Sequence, residues 1–252
     1  MPKPGPSDAP ADPDASSGGF HTTHWSVVLA ASRDASPGAE AALERLCEIY
    51  WLPVYVYIRS LGHHAHDAED HTQGFFMHLL SNHLAAQADP NRGRFRNFLL
   101  SSLRHFLADA RLREETAKRG KRRTLLWPHP DQLSSFEAGW HHSPRPPEEA
   151  YDYHWALSLA ETAFQRLREE FARTGRVEFF DELKDYVWGR QVGAGYRDLA
   201  AKFKITEGAV RVTVHRLRRR FGEWLREEVA HTVATPEEIE AEIRYLGQLL
   251  AV

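Results

Sequence analysis

Tyr196-Arg197-Asp198-Leu199-Ala200-Ala201-Lys202-Phe203-Lys204-Ile205-Thr206-Glu207-Gly208-Ala209-Val210-Arg211-Val212-Thr213-Val214-His215-Arg216-Leu217-Arg218-Arg219-Arg220-Phe221 is the stretch on which the reading of the chain turns. Tyr196, Leu199, Ala200 and Phe203 recur at helical spacing, and so do Val210, Val214, Leu217 and Phe221. Each set makes one apolar stripe on a helix. Only Lys204, Ile205 and Thr206 separate the two, which is a helix-turn-helix layout. On the second helix Arg211, Thr213, His215, Arg218 and Arg219 fall off the apolar stripe, and Tyr196 to Arg226 holds nine Arg or Lys against three acids. Such a face suits phosphates, with a few side chains left to read base edges in the major groove. A surface helix with merely solvated arginines is the competing reading.

Upstream, a second basic block runs from Arg92 to Arg123, with eleven Arg or Lys against three acids, interleaved with Phe95, Phe98 and Phe106. Aromatic rings among cations suit single-stranded nucleic acid, because bases stack on rings while cations hold the backbone. Phe95 and Phe106 read more naturally as core, which leaves Phe98 as the candidate wedge. The same block carries a helical pattern that begins after Gly93 and reaches about Lys118, and an earlier one runs from about Asp67 to Leu84. Before both lies a long apolar stretch through Leu43, Leu46, Ile49, Tyr50 and Pro53 to Ile58, ending near Gly62.

Between the two basic regions, residues 124–147 turn to Pro, His and Ser, with Trp127-Pro128-His129-Pro130 and Pro144-Arg145-Pro146-Pro147. Prolines at this density exclude a continuous helix and mark a linker. Further helices are expected near Glu148 to Phe171, Val177 to Trp188, Tyr196 to Phe203 and Thr206 to about Val229. Thr235-Pro236-Glu237-Glu238 then places a capping Thr, a Pro at the first helical position and a Glu three residues after the cap. A terminal amphipathic helix should follow, with Ile239, Ile243, Leu246 and Leu250 on one face. No strand alternation occurs, so an all-α fold of two helical domains is expected: tail 1–20, first domain 21–123 with an N-terminal extension, linker 124–147, second domain 148–230, and C-terminal extension 231–252.

Composition agrees with a folded soluble chain: 252 residues, 42% hydrophobic and 27% charged. The net charge of -3 conceals the segregation of cations into two blocks and of acids toward the C-terminus. Cys47 is the only cysteine, which rules out an intramolecular disulfide and suits a reducing compartment. No signal-like or membrane-spanning apolar run is present, so a cytoplasmic location is expected.

The residues also resemble a known family. Asp67-Ala68-Glu69-Asp70-His71-Thr72-Gln73-Gly74-Phe75-Phe76 resembles the Asp-Ala-Glu-Asp-Leu-Thr-Gln-Glu-Val-Phe signature of region 2 in RNA polymerase sigma factors of the extracytoplasmic-function type. Phe95-Arg96-Asn97-Phe98-Leu99 and Leu103-Arg104-His105-Phe106-Leu107-Ala108-Asp109 are similar to that family's Phe-Arg-x-Trp-Leu and Ala-Arg-Asn-x-x-x-Asp stretches. Tyr196 to Ala200 and Thr206 to Arg218 resemble region 4. The likeness covers roughly residues 40–123 and 150–226, and the extensions are similar to those of a longer subgroup.

What the resemblance implies is a subunit that directs transcription initiation. Asp67, Asp70, Gln73 and Phe76 would contact core RNA polymerase. Arg94, Arg96, Phe98, Arg104, His105, Asp109 and Arg113 would engage the minus-ten element of promoter DNA. Arg211, Val212, Thr213, His215, Arg216 and Arg218 would face the minus-thirty-five element. The controller is left open between an anti-sigma factor, a regulatory kinase and the chain's own extensions. His105 and Phe98 stand where Asn and Trp are usual, which alters the expected promoter preference.

Other readings compete. A stand-alone helix-turn-helix regulator would share the C-terminal part but leave the Asp67 to Phe76 signature unexplained. His63, His64, His66, Asp67, Asp70 and His71 could suggest a metal site, yet no second cluster supplies further ligands, so surface polarity and helix capping are preferred and no metal or cofactor is expected. No Gly-rich phosphate loop, nucleophile elbow or Cys pair appears, and the chain is not expected to be an enzyme. The terminal helix, with Glu237, Glu238, Glu240 and Glu242, would either restrain DNA binding by packing on a basic domain or extend the second domain's core.

Overall fold

The computed structural model describes residues 37–80, 93–116, 136–137, 145–187, 195–233 and 235–251. The expected tail, the N-terminal extension at 21–31 and most of the proline-rich segment lie outside them. Among the described residues the α-helices with defined bounds run in order: α1 (Pro37–Ser60), α2 (Ala65–Leu80), α3 (Phe95–Thr116), α4 (Pro147–Arg173), α5 (Val177–Val187), α6 (Tyr196–Phe203), α7 (Glu207–Ala230) and α8 (Ile239–Leu250), the last preceded by one 3-10 turn, Pro236–Glu238. Among the described residues there is no strand, and the fold is all-α.

α1 is the central helix of the first half. Trp51 and Pro53 to Ile58 are buried all round the helix, as expected where an element is apolar on every side. It lies between α2 and α4, and Pro53 is accommodated inside it. α2 turns inward one continuous stripe, Ala68, Thr72, Phe75, Phe76 and Leu79. α3 contributes Phe95, Leu99 and Leu103. Tyr50 meets Phe95 edge-on at 5.4 Å and Phe75 meets Phe106 at 5.7 Å, distances at which the ring quadrupoles attract. Gly74 permits that approach, because a Cβ there would stand 3.2 Å from the Phe106 ring.

Buried residues form two clusters. The first takes side chains from α1, α2 and α3, Tyr151, Trp155, Ala156 and Leu159 of α4, Val229 of α7, and Leu246 of α8. The second takes Ala160, Ala163, Phe164 and Leu167 of α4 with the inward faces of α5, α6 and α7. The boundary therefore falls inside α4, whose apolar stripe passes from one cluster into the other. Tyr151 to Leu159, expected with the second domain, pack in the first cluster. Where α4 and α7 cross, Arg166 pairs with Glu228 at 3.0 Å and Glu227 at 3.1 Å, with its guanidinium 4.8 Å from the Trp224 ring.

The other helices begin and end for local reasons. α4 starts with Pro147 at its first position and Glu148 and Glu149 in its first turn, which suits both the missing proline N–H and the helix dipole. Glu238 accepts a hydrogen bond from the Thr235 N–H at 3.3 Å ahead of α8. Ile239, Ile243 and Leu250 line α8's half-buried margin around Leu246. No helix of the described residues is long and apolar enough to cross a membrane.

Candidate nucleic-acid interface

The connection from α6 to α7 sets the direction of the second helix. Lys204 adopts φ 54, ψ 42, the left-handed conformation that ends a helix, and the Lys204 and Ile205 N–H groups bond back to the Ala201 and Ala200 carbonyls at 3.3 and 3.0 Å. This satisfies carbonyls that the end of α6 would leave without partners. Thr206 then caps α7, its hydroxyl accepting from the Ala209 N–H at 3.1 Å. Asp198 does the equivalent for α6 by accepting from the Gly195 N–H at 3.1 Å.

On α7, Val210, Val214, Leu217 and Phe221 are buried. At about 100° per residue, the direction opposite that stripe belongs to Val212, His215, Arg216 and Arg219. All four are exposed, Val212 to 50%. The side chains of His215 and Arg216 make no hydrogen bond or ion pair with the described residues. Arg219 pairs with Glu223 at 3.0 Å. The sequence places it off the apolar stripe but not in the expected minus-thirty-five set, and its angular position puts it on this outward face.

Three other residues of the expected minus-thirty-five set flank this face. Arg211 pairs with Glu207 at 2.6 Å and lies 5.2 Å from the Tyr196 ring. Thr213 is half-buried, with its hydroxyl donated to the Ala209 carbonyl at 2.8 Å. Arg218 is exposed, but its Nε donates to the Tyr186 carbonyl at 2.9 Å, tying α7 to the end of α5.

The residues expected at the minus-ten element separate into groups. Arg104, His105 and Asp109 are exposed on α3. Arg104 donates to the Tyr57 hydroxyl at 3.1 Å and also pairs with Glu148. Arg94 and Arg96 instead meet acids: Arg94 Nη1 lies 3.0 Å from Glu242 Oε2, Arg96 donates to Glu242 Oε1, and Arg96 Nε pairs with Asp152 at 3.2 Å. Arg96 is buried, with its guanidinium 4.7 Å from the Trp155 ring and 4.6 Å from the Tyr245 ring. Phe98 is half-buried at 6.0 Å from Phe95, so its ring is a flank of the core rather than a projecting wedge. The Arg113 side chain lies outside the described residues.

Of the residues expected to meet polymerase, Asp67 is exposed in the first turn of α2. Asp70 lies 3.7 Å from His66, and Gln73 donates to Glu69 at 3.3 Å. Phe76 is corrected to a core residue: at 2% exposure it packs under α2 and offers no surface. Its spacing of eight from Ala68 and four from Thr72 puts it on the inward stripe.

The polar cluster at the start of α2 is dispersed. His63 and His71 meet edge-on at 5.0 Å, and among the described residues no group of three or more His, Cys, Asp or Glu is placed to hold a metal ion. Cys47 packs against the first cluster, where burial pushes its thiol pKa up to about 12, which leaves it uncharged and a poor nucleophile. Neither a protein-family model, nor a curated protein, nor a solved structure matches the chain.

Proposed function

We propose that the chain is a sigma-type subunit of bacterial RNA polymerase, which joins the core enzyme in the cytoplasm and directs it to promoters. The observation that carries this reading is the outward face of α7, with Val212, His215, Arg216 and Arg219 presented by a capped helix-turn-helix. Cations there neutralise phosphates, while Val212 offers an apolar contact of the kind that reads a thymine methyl. The acidic start of α2 and the exposed Arg104, His105 and Asp109 of α3 support it from the other half, as the surfaces for polymerase and for the melted strand. In this reading the two clusters serve as region 2 and region 4, α4 runs from one into the other, and the protein works by binding without catalysis of its own.

The test is capture of purified bacterial core RNA polymerase on the tagged chain, with Asp67→Ala/Gln73→Ala as the comparison. Both positions lie outside the core, so this pair tests the surface without unfolding α2, as Phe76→Ala would. Retention of polymerase by the wild type and its loss in the variant is the expected result. Failure to retain polymerase, combined with tight duplex binding by the chain alone, would overturn the proposal in favour of a stand-alone regulator.

A further inference from the structure

Glu242 occupies an unusual position. It lies three residues after Ile239 and four before Leu246, in the middle of the stripe that α8 turns inward, where a leucine would pack without electrostatic cost. Its side chain is fully buried. A buried carboxylate persists only beside cations, and two lie here: Arg96 donates to Oε1, and Arg94 Nη1 stands 3.0 Å from Oε2 as an ion pair without a hydrogen bond to that oxygen. Two guanidiniums converging on a pair of anionic oxygens is the arrangement that also binds a phosphate.

Arg96 already has an acidic partner on the body of the protein, Asp152 at 3.2 Å, and an aromatic wall in Trp155. α8 adds a second acid and a second wall, Tyr245, whose hydroxyl donates to Asp152 at 2.5 Å. With α8 in place, two cations face two carboxylates. With α8 lifted away, Glu242 and Tyr245 leave together, and Arg94 and Arg96 face Asp152 alone. One face of the Arg96 guanidinium is then uncovered beside a net positive charge.

We infer that α8 is an internal mask in which Glu242 stands where a backbone phosphate of single-stranded DNA binds between Arg94 and Arg96. The inference rests on the reading of α3 as part of a nucleic-acid face. It adds that this half of the face is closed in the free chain, whereas His105 and Asp109 are exposed and Arg104 is exposed but paired with Glu148. The other acid contact of α8, Glu240 with Arg226, is on the surface, so lifting the helix has to undo the Glu242 site and the buried Leu246 contact.

The experiment compares the full chain with full-length Glu242→Gln and Glu242→Gln/Arg94→Ala, each checked for wild-type helicity, using a labelled 20-nucleotide single-stranded DNA across a salt series. Unmasking should tighten binding and steepen the log-log salt dependence by about 0.7 for each arginine released onto a phosphate, and Arg94→Ala should remove its share of that gain. A folded Glu242→Gln chain with unchanged affinity and slope would overturn the inference, as would a gain that ignores Arg94. Should Glu242→Gln fail to fold, hydrogen exchange on the wild type decides: saturating DNA must speed exchange of the α8 amides, because occupant and mask exclude each other. Unchanged α8 protection at saturation, or no DNA binding at any salt, overturns it. Polymerase capture is a separate measurement, so a failure of the sigma reading would be distinguishable from a failure of the mask.

Discussion

Leu217→Ala tests whether the two clusters stand or fall together. Leu217 is 2% exposed in a cluster with Val210, Val214 and Phe221 of its own helix and Phe164 of α4. The substitution removes three carbons, worth about 2.4 kcal/mol at about 0.8 kcal/mol per buried methylene. A cavity term adds to that, because aromatic neighbours held by separate helices collapse poorly, and about 3 kcal/mol in total is expected. With a urea m-value of about 2 to 3 kcal/mol/M, the midpoint should fall by about 1 M or slightly more. The decisive assay is native-state hydrogen exchange in the wild type and the variant. α4 continues unbroken from one cluster to the other, and Arg166 with Glu228 fastens it to α7 at the crossing. The slowest amides of α1 and α2 should therefore lose about as much protection as those of α5 and α7, although Leu217 touches neither α1 nor α2. Loss confined to α5, α6 and α7, with α1 and α2 unchanged, would refute the argument that the shared helix couples the clusters.

Two further outcomes are expected. His154 is largely buried beside Phe136 at 5.5 Å, and burial, helped by the nearby Arg145 cation, lowers its pKa to about 4. The folded value lies below that of the unfolded chain, so the unfolded chain binds more protons between pH 6.5 and 4. Its contribution is thus fully present above about pH 6.5 and lost as pH falls toward 4, with a slope of up to about 1.4 kcal/mol per pH unit; denaturation midpoints of His154→Gln across this range should fall less steeply than those of the wild type. Lys204 holds φ 54 with an L side chain, which costs about 1 kcal/mol, partly offset in a glycine by its freer unfolded state. Lys204→Gly should then raise stability by about 0.5 kcal/mol in urea melts, and a decrease would show that the Lys204 side chain contributes more than the turn conformation costs.

Much of the local structure was legible because the sequence carries its own punctuation. The Tyr196 to Phe203 helix was read with its observed bounds, since Thr206 caps the next helix and the intervening residues cannot continue the first. Thr235-Pro236-Glu237-Glu238 announced α8 for the same reason. Periodicity, however, says that a side chain is buried without saying against what. A helix is expected near Glu148 to Phe171 and α4 runs Pro147–Arg173, but the division of its buried face between two clusters depends on α1 and α8, which are far away in sequence. Phe76 is named a polymerase contact through the motif alone, and its burial in the core removes it from that surface.

Arg96 and Glu242 show the same point in a form that generalises to this whole chain. Arg96 precedes Leu99 by three and Leu103 by seven, on the inward stripe of α3; Glu242 precedes Leu246 by four, on the inward stripe of α8. Each charge, viewed on its own helix, looks like a flaw in an apolar pattern. Two opposite flaws on different helices are a pairing signal, because an isolated buried charge is too costly to persist and the cheapest remedy is its counterpart. Arg166 and Glu228 repeat the device where α4 crosses α7, with Glu228 fully buried. Apolar stripes alone fix the register of α7 and α8 on α4 less strictly, since a helix shifted by a turn still sets apolar side chains against apolar side chains, although packed less well. Buried ion pairs remove that freedom: a shift of one turn, about 5.4 Å, would leave both partners desolvated and separated. The chain thus uses packing to hold its C-terminal helices against α4 and charge to decide their register, and the charged register sites are also the places where an outside anion can compete.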